Sequence, residues 1–237
     1  PVTAILNQPW RLGSSMTSVP IESNSKYTRT AMSPISFVSQ PGDFTLNQLV
    51  KDFNLTLQES AEWFAPITPV SPSVTLVTLL QEQVDLAVAI NTEKARSELI
   101  IAPVLMEVRR QAKATISLFS GSEFTVDPEK GLTGICDFIL SKNPEQLFIR
   151  APVMTIVEAK NENLKSGFAE CIAAMIAAQI FNQQENNDIS TIHGAVTIGT
   201  TWRFLSLENN TVNIDLSEYY IKKDLEKILG ILLNALH

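Results

Sequence analysis

Two charged residues close an apolar stretch in the second half of the chain. Residues 152–160 are rich in β-branched side chains and end in Glu158, Ala159 and Lys160. Such a run predicts a buried strand, and residues two apart in a strand lie on one face. We therefore expect Glu158 and Lys160 side by side where the strand emerges. Buried charges are normally paired or bound to a metal, although two solvated charges at a strand end would give the same pattern.

A third charge lies inside the preceding strand pattern. Asp137 is the lone charged residue within residues 132–140, a placement that is costly without a partner. If the two strands are sheet neighbours, Asp137 and Glu158 converge, and two carboxylates repel unless a cation lies between them. Mg²⁺ suits such a pair because it binds one or two carboxylates together with water and phosphate. Lys160 could then orient or deprotonate a water, or stabilise charge on a phosphate.

A fourth carboxylate falls on the apolar stripe of a predicted helix. The pair Asn91 and Thr92 marks the start of this helix, and Pro103 is expected to kink or split it. Glu98 lies on the same stripe as Ile101 and Leu105 in an uninterrupted helix. A carboxylate facing the core is unusual, although its head could reach water at the edge of the stripe.

The pattern of apolar residues predicts an α/β fold with a mixed central sheet flanked by helices. Helices are expected over residues 45–53, 55–64, 74–90, 91–113, 168–184 and 217–236, the last capped by Ser217. Strands are expected over residues 114–126, 132–140, 152–160, 191–200, 202–207 and 212–216, the last at a sheet edge. The composition predicts a flexible leader over residues 1–40 and a single domain over residues 41–237, consisting of a helical extension (41–90), a core (91–200) and C-terminal strands and helix (201–237).

The spacing of these residues resembles that of the PD-(D/E)xK, or restriction-endonuclease-like, nuclease superfamily. Residues 132–138 carry the Asp motif, and residues 156–160 carry the Glu-x-Lys motif. The expected order of helix, three strands, helix and strand between residues 91 and 199 is similar to the core of that family. The chain departs from the family name at Cys136, which stands in place of Pro.

The resemblance implies a restriction-endonuclease-like core and a metal-dependent endonuclease or exonuclease that acts on DNA or RNA. It implies Mg²⁺ or Mn²⁺ as the cofactor, with Asp137, Glu158 and the main-chain carbonyl of Ala159 as ligands. It also implies that Lys160 lies beside the attacking water.

Two more carboxylates take their expected roles from the same resemblance. Glu98 corresponds to the family's helix carboxylate, which can contact the metal through water. Glu170 falls where many members carry Gln or Glu on the second core helix.

Composition leaves a second class of function open. The formal net charge is −7, which argues against a surface covered with phosphate-binding residues. A non-catalytic binding or scaffold protein with the same fold is therefore the alternative.

The two cysteines, Cys136 and Cys171, suit small buried side chains of a reduced, cytoplasmic protein. No apolar run suggests a membrane span, and the segment before residue 90 could build a homodimer contact.

Overall fold

The computed structural model describes residues 45–187 and 189–237, which fold around a mixed sheet of eight strands. The expected leader, residues 1–40, lies outside the described residues. The strands are β1 (Thr56–Ser60), β2 (Ser117–Glu123), β3 (Ile135–Ser141), β4 (Val153–Ala159), β5 (Thr191–Thr197), β6 (Thr201–Glu208), β7 (Thr211–Asp215) and β8 (Tyr219–Tyr220). The helices are α1 (Leu46–Asp52), α2 (Val74–Ile90), α3 (Glu93–Arg96), α4 (Ala102–Gln111), α5 (Gly167–Gln184) and α6 (Ile221–Asn234).

The strands follow the order β1-β7-β6-β5-β4-β3-β2, and β8 pairs with β6. The pairs β4–β5 and β1–β7 are parallel, and the remaining neighbours are antiparallel. The parallel pair β4–β5 is joined through α5, as the predicted order of strand, helix and strand requires. The α/β class with a mixed sheet flanked by helices is therefore confirmed.

Helices cover both faces of this sheet. On one face α5 packs against β4 and β5, with α1 beside it. A Cβ atom on Gly194 would lie 2.4 Å from the sulfur of Met175, so α5 can approach β5 this closely only because residue 194 is glycine. On the opposite face α4 and α6 pack against the sheet, and α2 packs against α4. The first turn of α5 is thereby fixed over the end of β4 that carries the predicted site.

Three sequence predictions about the smaller elements are wrong. Residues 55–64 were expected to form a helix, but Thr56–Ser60 forms a strand that pairs with β7 through main-chain hydrogen bonds, a long-range interaction that local periodicity does not encode. For the same reason β7 is not an edge strand. The last helix begins at Ile221 rather than at Ser217, whose hydroxyl accepts a hydrogen bond from the main-chain N–H of Glu62.

The predicted helix over residues 91–113 is helical from Glu93 to Gln111, and it changes type before Pro103 rather than breaking there. It consists of α3, one π-helical stretch over Ser97–Ile101, and α4, in which Pro103 occupies the first turn. The stretch Leu164–Gln184, which contains α5, is long and apolar enough to cross a membrane by length and composition, contrary to the sequence expectation. However, 56% of its most apolar window is buried within the fold, which is typical of a core helix.

Candidate functional site

Glu158 is buried at the end of β4, with 2% of its surface exposed. Its Oε1 atom has no hydrogen-bond donor among the described residues. Burial raises the pKa of Glu158 well above its ordinary value, and the charge of Asp137 raises it further, whereas Lys160 acts in the opposite direction. A buried carboxylate oxygen without a donor is costly, so the fold alone does not account for this residue.

Asp137 is brought to Glu158 by the antiparallel pairing of β3 and β4. Phe138 and Val157 form the last recorded pair of this ladder, so Asp137 and Glu158 follow as the next opposed positions. One carboxylate oxygen of Asp137 accepts a hydrogen bond of 2.7 Å from the main-chain N–H of Ala159. The convergence of the two predicted carboxylates therefore agrees with the sheet register.

Lys160 lies one residue beyond the strand and is held by Glu170. Its Nζ atom is 2.8 Å from Glu170 Oε2, and the side chains are only 13% and 10% exposed. Burial lowers the pKa of Lys160, but the hydrogen bond and charge of Glu170, followed by the charges of Glu158 and Asp137, outweigh it and raise the pKa overall. The structure thus brings Glu170 into the same group of charges.

Close packing at the start of α5 also fixes the lysine. A Cβ atom on Gly167 would lie 2.6 Å from Val196 and 3.2 Å from the Lys160 side chain. Glycine at this position lets the first turn of α5 reach the lysine, and with it Glu170.

Glu98 is not brought to this group. Its side chain is 61% exposed and forms an ion pair of 2.7 Å with Lys94. The expectation that it lies on a core-facing stripe is wrong because Ser97–Ile101 forms a π-helical stretch. One extra residue per turn rotates the helix face by roughly 100°, so the periodicity of an uninterrupted helix does not apply here.

Glu93, at the start of the same helical segment, is a carboxylate whose pKa responds to this group of charges. Burial raises its pKa, while Lys160 lowers it and Asp137 and Glu170 raise it, so its charge is felt by three members of the group. In the sequence this residue appears only as an acidic residue in a first helical turn. The signal that could have identified it is its position directly after the cap Thr92, which binds the N–H of Ala95.

A second missed residue borders the same corner of the fold. Arg96, one turn after Glu93, is 7% exposed and donates to the carbonyl of Ile198 at 2.9 Å and to Asn91 Oδ1 at 3.0 Å. The amide of Asn91 in turn donates to Glu162 at 3.2 Å. No periodic signal marks an arginine that turns inward from such a short helix.

The residues at this corner offer a divalent cation two carboxylates but no larger set of side-chain ligands. No group of three or more His, Cys, Asp or Glu side chains in residues 45–187 and 189–237 could hold a metal ion. Mg²⁺, however, is commonly held by one or two carboxylates with water completing its shell. Asp137 and Glu158 provide such a pair, and the Glu158 oxygen that lacks a donor is the atom that a cation would satisfy.

Comparison with known proteins does not identify a family. Neither the models of known protein families nor the curated proteins give a match to this chain.

Proposed function

We propose that this chain is a Mg²⁺-dependent hydrolase of phosphodiester bonds in nucleic acid, with Mn²⁺ as the alternative metal. The observation that carries the proposal is Glu158, a buried carboxylate with an oxygen that lacks a donor beside Asp137. Both would hold the cation, together with the main-chain carbonyl of Ala159. When bound, the cation would supply positive charge against the negative charge that develops on the phosphate.

The fold supports this proposal through its element order. The chain runs from the helices before β2 through β2, β3 and β4, then α5 and β5. This is the order implied by the resemblance to the PD-(D/E)xK nucleases. Asp137 lies on the second of the three strands, and Glu158 closes the third.

Lys160 would serve as a cation and hydrogen-bond donor rather than as a base. Its raised pKa keeps the ammonium protonated at neutral pH, and Glu170 fixes its direction. One of its three N–H groups binds Glu170, which leaves two for a water or a phosphate oxygen. A fixed donor of this kind stabilises developing charge without reorganisation.

We assign Glu93 as the general base that accepts a proton from the attacking water. Its raised pKa, caused first by burial, brings it closer to neutral pH, where a general base is most effective. A water held between Glu93 and the ammonium of Lys160 would transfer one proton to the Glu93 carboxylate as its oxygen bonds to the phosphorus. The bond from phosphorus to the leaving sugar oxygen would break in the same displacement, and that oxygen would take its proton from solvent water. Glu98, for which the resemblance implied a contact to the metal through water, is exposed and paired with Lys94 instead.

The test is cleavage of plasmid DNA and of a labelled RNA with Mg²⁺ or Mn²⁺. We expect cleavage that EDTA abolishes and that Asp137→Asn and Lys160→Ala each remove. Glu93→Gln should lower the rate about a hundredfold, whereas Glu98→Gln, a matched change on the same helical segment, should not. A pure wild-type preparation that cuts neither substrate with either metal would overturn the proposal.

The formal net charge of −7 favours a second candidate, a non-catalytic binding or scaffold protein of this fold. Nucleic acid would meet a repulsive average field around such a chain. This alternative predicts that Mg²⁺ does not raise the melting temperature of the wild type. A Mg²⁺-dependent rise in the melting temperature that Glu158→Gln removes would count against this alternative.

A further inference from the structure

A trough lies between α2 and α6, on the face of the sheet opposite α5. Both helices pack against α4, and a hollow of about 420 Å³ lies between them. The apolar side chains that line this α2–α6 trough are Val77, Leu80 and Val84 of α2 and Ile221 and Leu225 of α6. The volume is within the range of small-molecule sites. The walls of the trough therefore favour a ligand with a hydrocarbon part.

The polar side chains of the trough are all exposed, and they are Gln81 and Asp85 on α2 and Lys222 on α6. Lys222 Nζ is 2.9 Å from Asp85 Oδ1, and the two side chains are 69% and 81% exposed. Exposed ion pairs of this kind contribute little to stability. A carboxylate that enters the trough can therefore take the place of Asp85 at the ammonium group.

A smaller hollow of about 240 Å³ adjoins the trough and shares Ile221 and Lys222 with it. Its other lining residues are Thr200, Tyr220 and Lys223. Lys223 is exposed, and its Nζ atom lies 6.0 Å from the centre of the Tyr220 ring. Among the described residues that line the two hollows, two lysines therefore stand against one carboxylate, Asp85. This balance of charge favours an anionic group at this end of the trough.

The length of the trough follows from its residues on α2. Asp85, bound to Lys222, marks the charged end, and Val77 marks the other end. Between these two residues α2 rises about 12 Å. An extended chain advances about 1.2 Å per covalent bond. A straight hydrocarbon chain of about ten carbons therefore spans the trough.

We propose that the α2–α6 trough binds a straight-chain monocarboxylate of about ten carbons. The carboxylate lies at Lys222 with Lys223 close by, and the chain runs past Val84 and Leu80 towards Val77. Burial of the chain supplies most of the affinity, and the ammonium groups fix its direction. This site lies on the other side of the sheet from α5 and does not rest on the proposed hydrolase function.

The first test is titration calorimetry of the full chain in EDTA with the sodium salts of hexanoate, octanoate, decanoate, dodecanoate and tetradecanoate, each below its micelle concentration. We expect each added methylene group to tighten binding about three- to fourfold. The gain should stop near decanoate, when the chain fills the trough. No detectable binding of decanoate would overturn the inference. A gain that continues to tetradecanoate would also overturn it, because the chains would then be adsorbing to apolar surface in general.

The second test changes the head group at constant chain length. The formal net charge of −7 favours a cation at a non-specific site, whereas the trough should bind decanoate more tightly than decyltrimethylammonium. Lys222→Gln should weaken binding of decanoate about three- to fivefold and leave binding of decanol unchanged. Asp85→Asn should strengthen binding of decanoate, because the competing carboxylate is removed. A preference for the cation would overturn the inference.

Lys94→Gln is the matched control for Lys222→Gln. Lys94 also forms an exposed ion pair, with Glu98 at 2.7 Å, but it lies on α3 and does not line the trough. Its substitution should leave binding of decanoate unchanged. An equal loss in the two variants would show that the total charge rather than the trough attracts the carboxylate, and would overturn the inference.

The third test shortens the trough from its far end. Val77→Trp puts a large side chain where the end of the decanoate chain is expected, and should weaken binding of decanoate about tenfold, the equivalent of two methylene groups. Binding of hexanoate should not change, which a misfolded variant would not show. Equal binding of decanoate by a folded Val77→Trp variant and by the wild type would overturn the inference. Melting temperatures show whether each variant is folded.

A second copy of the chain is the competing occupant of the trough. Light scattering of the wild type and of Val77→Trp distinguishes the two occupants. A wild-type monomer that binds decanoate supports the inference, because the trough is then open to the ligand. A wild-type dimer that Val77→Trp separates would overturn it, because the trough would then be covered by protein.

Discussion

Glu107 and Glu158 are both buried glutamates, with 1% and 2% of their surfaces exposed, but their surroundings are opposite. Glu107 lies on α4, and Oε1 accepts from the main chain of Ser73 at 2.9 Å and from Gln111 at 2.8 Å. Its Oε2 accepts from the Ser73 hydroxyl and from Arg110, both at 2.7 Å. Glu158 instead has an oxygen without a donor and a second carboxylate beside it.

The pKa values of the two residues express this difference. Burial raises the pKa of Glu107, but the hydrogen bonds from Gln111 and Ser73 and the charge of Arg110 outweigh it and lower the pKa. For Glu158, burial and Asp137 both raise the pKa. A buried carboxylate surrounded by donors stabilises the fold, whereas Glu158 lacks enough donors and is where we propose that a cation binds.

The largest expected effect of this difference is on cleavage. Glu158→Gln should reduce the rate with Mg²⁺ by at least about a hundredfold, because even outer-shell partners of metal ligands contribute ten- to a hundredfold. Glu107→Gln should leave the rate per folded molecule unchanged. Initial rates normalised to the folded fraction measure both, and a Glu158→Gln enzyme within tenfold of the wild type would break the comparison.

The same pair of substitutions should change stability in opposite directions. Glu107→Gln puts an NH₂ group against hydrogen-bond donors and should lower the free energy of unfolding by about 1–3 kcal/mol. Glu158→Gln removes a buried ionisable group whose charged form is disfavoured by burial and by Asp137, and should raise the free energy of unfolding by about 1 kcal/mol without divalent ions. Urea unfolding at pH 7 in EDTA gives both values, and a loss of stability in Glu158→Gln would contradict the assignment.

Acid should remove the stabilising effect of Glu107. Because its pKa in the folded protein lies below the usual value of 4.5, its contribution is present above that pH and disappears as pH falls through the lower, folded value. The difference between wild type and Glu107→Gln in urea should therefore shrink below pH 4.5. A difference that stays constant down to pH 3 would show that packing rather than ionisation carries the effect.

The pairwise comparison is needed because His193 also titrates in acid. Burial lowers its pKa from 6.5 to about 4, so the folded state resists protonation and stability falls between these two pH values in every variant. This shared loss cancels in the difference between wild type and Glu107→Gln.

The smallest change in the free energy of unfolding is expected at Glu98, a glutamate that is exposed on the surface, unlike Glu107 and Glu158. Its ion pair with Lys94 is exposed at both ends, so Glu98→Gln should change the free energy of unfolding by less than about 0.5 kcal/mol. Thermal unfolding at low and high salt measures this. A larger loss would mean that exposure is a poor guide to the role of a carboxylate in this chain.

Sequence reasoning located Asp137, Glu158 and Lys160 because charges inside short apolar strands are conspicuous. The same reasoning failed on the helix before β2. There the choice between Glu93 and Glu98 depends on one π-helical stretch, and periodicity is not sensitive to one inserted residue. It also did not single out Glu107, since a glutamate among arginines and glutamine near the end of a helix looks like an exposed residue.

The local sequence pattern did not predict long-range contacts either. The residues of β1 have the composition of a polar surface segment, and their conformation depends on β7. Arg96 became buried through contacts with Ile198 and Asn91, which only the folded sheet brings together. Propensity and local pattern specify elements, but they do not specify which elements meet.

The parallel pairing of β1 with β7 has a consequence for how the chain assembles. Among the strands of residues 45–187 and 189–237, β1 is synthesised first, yet it pairs with β7, the last of them that is longer than two residues. The antiparallel neighbours β5, β6 and β7 are joined by short connections over residues 198–200 and 209–210, and such local contacts form first. The backbone of β1 therefore stays unpaired with β7 until residues 211–215 have been synthesised, and the sheet is completed only after that point.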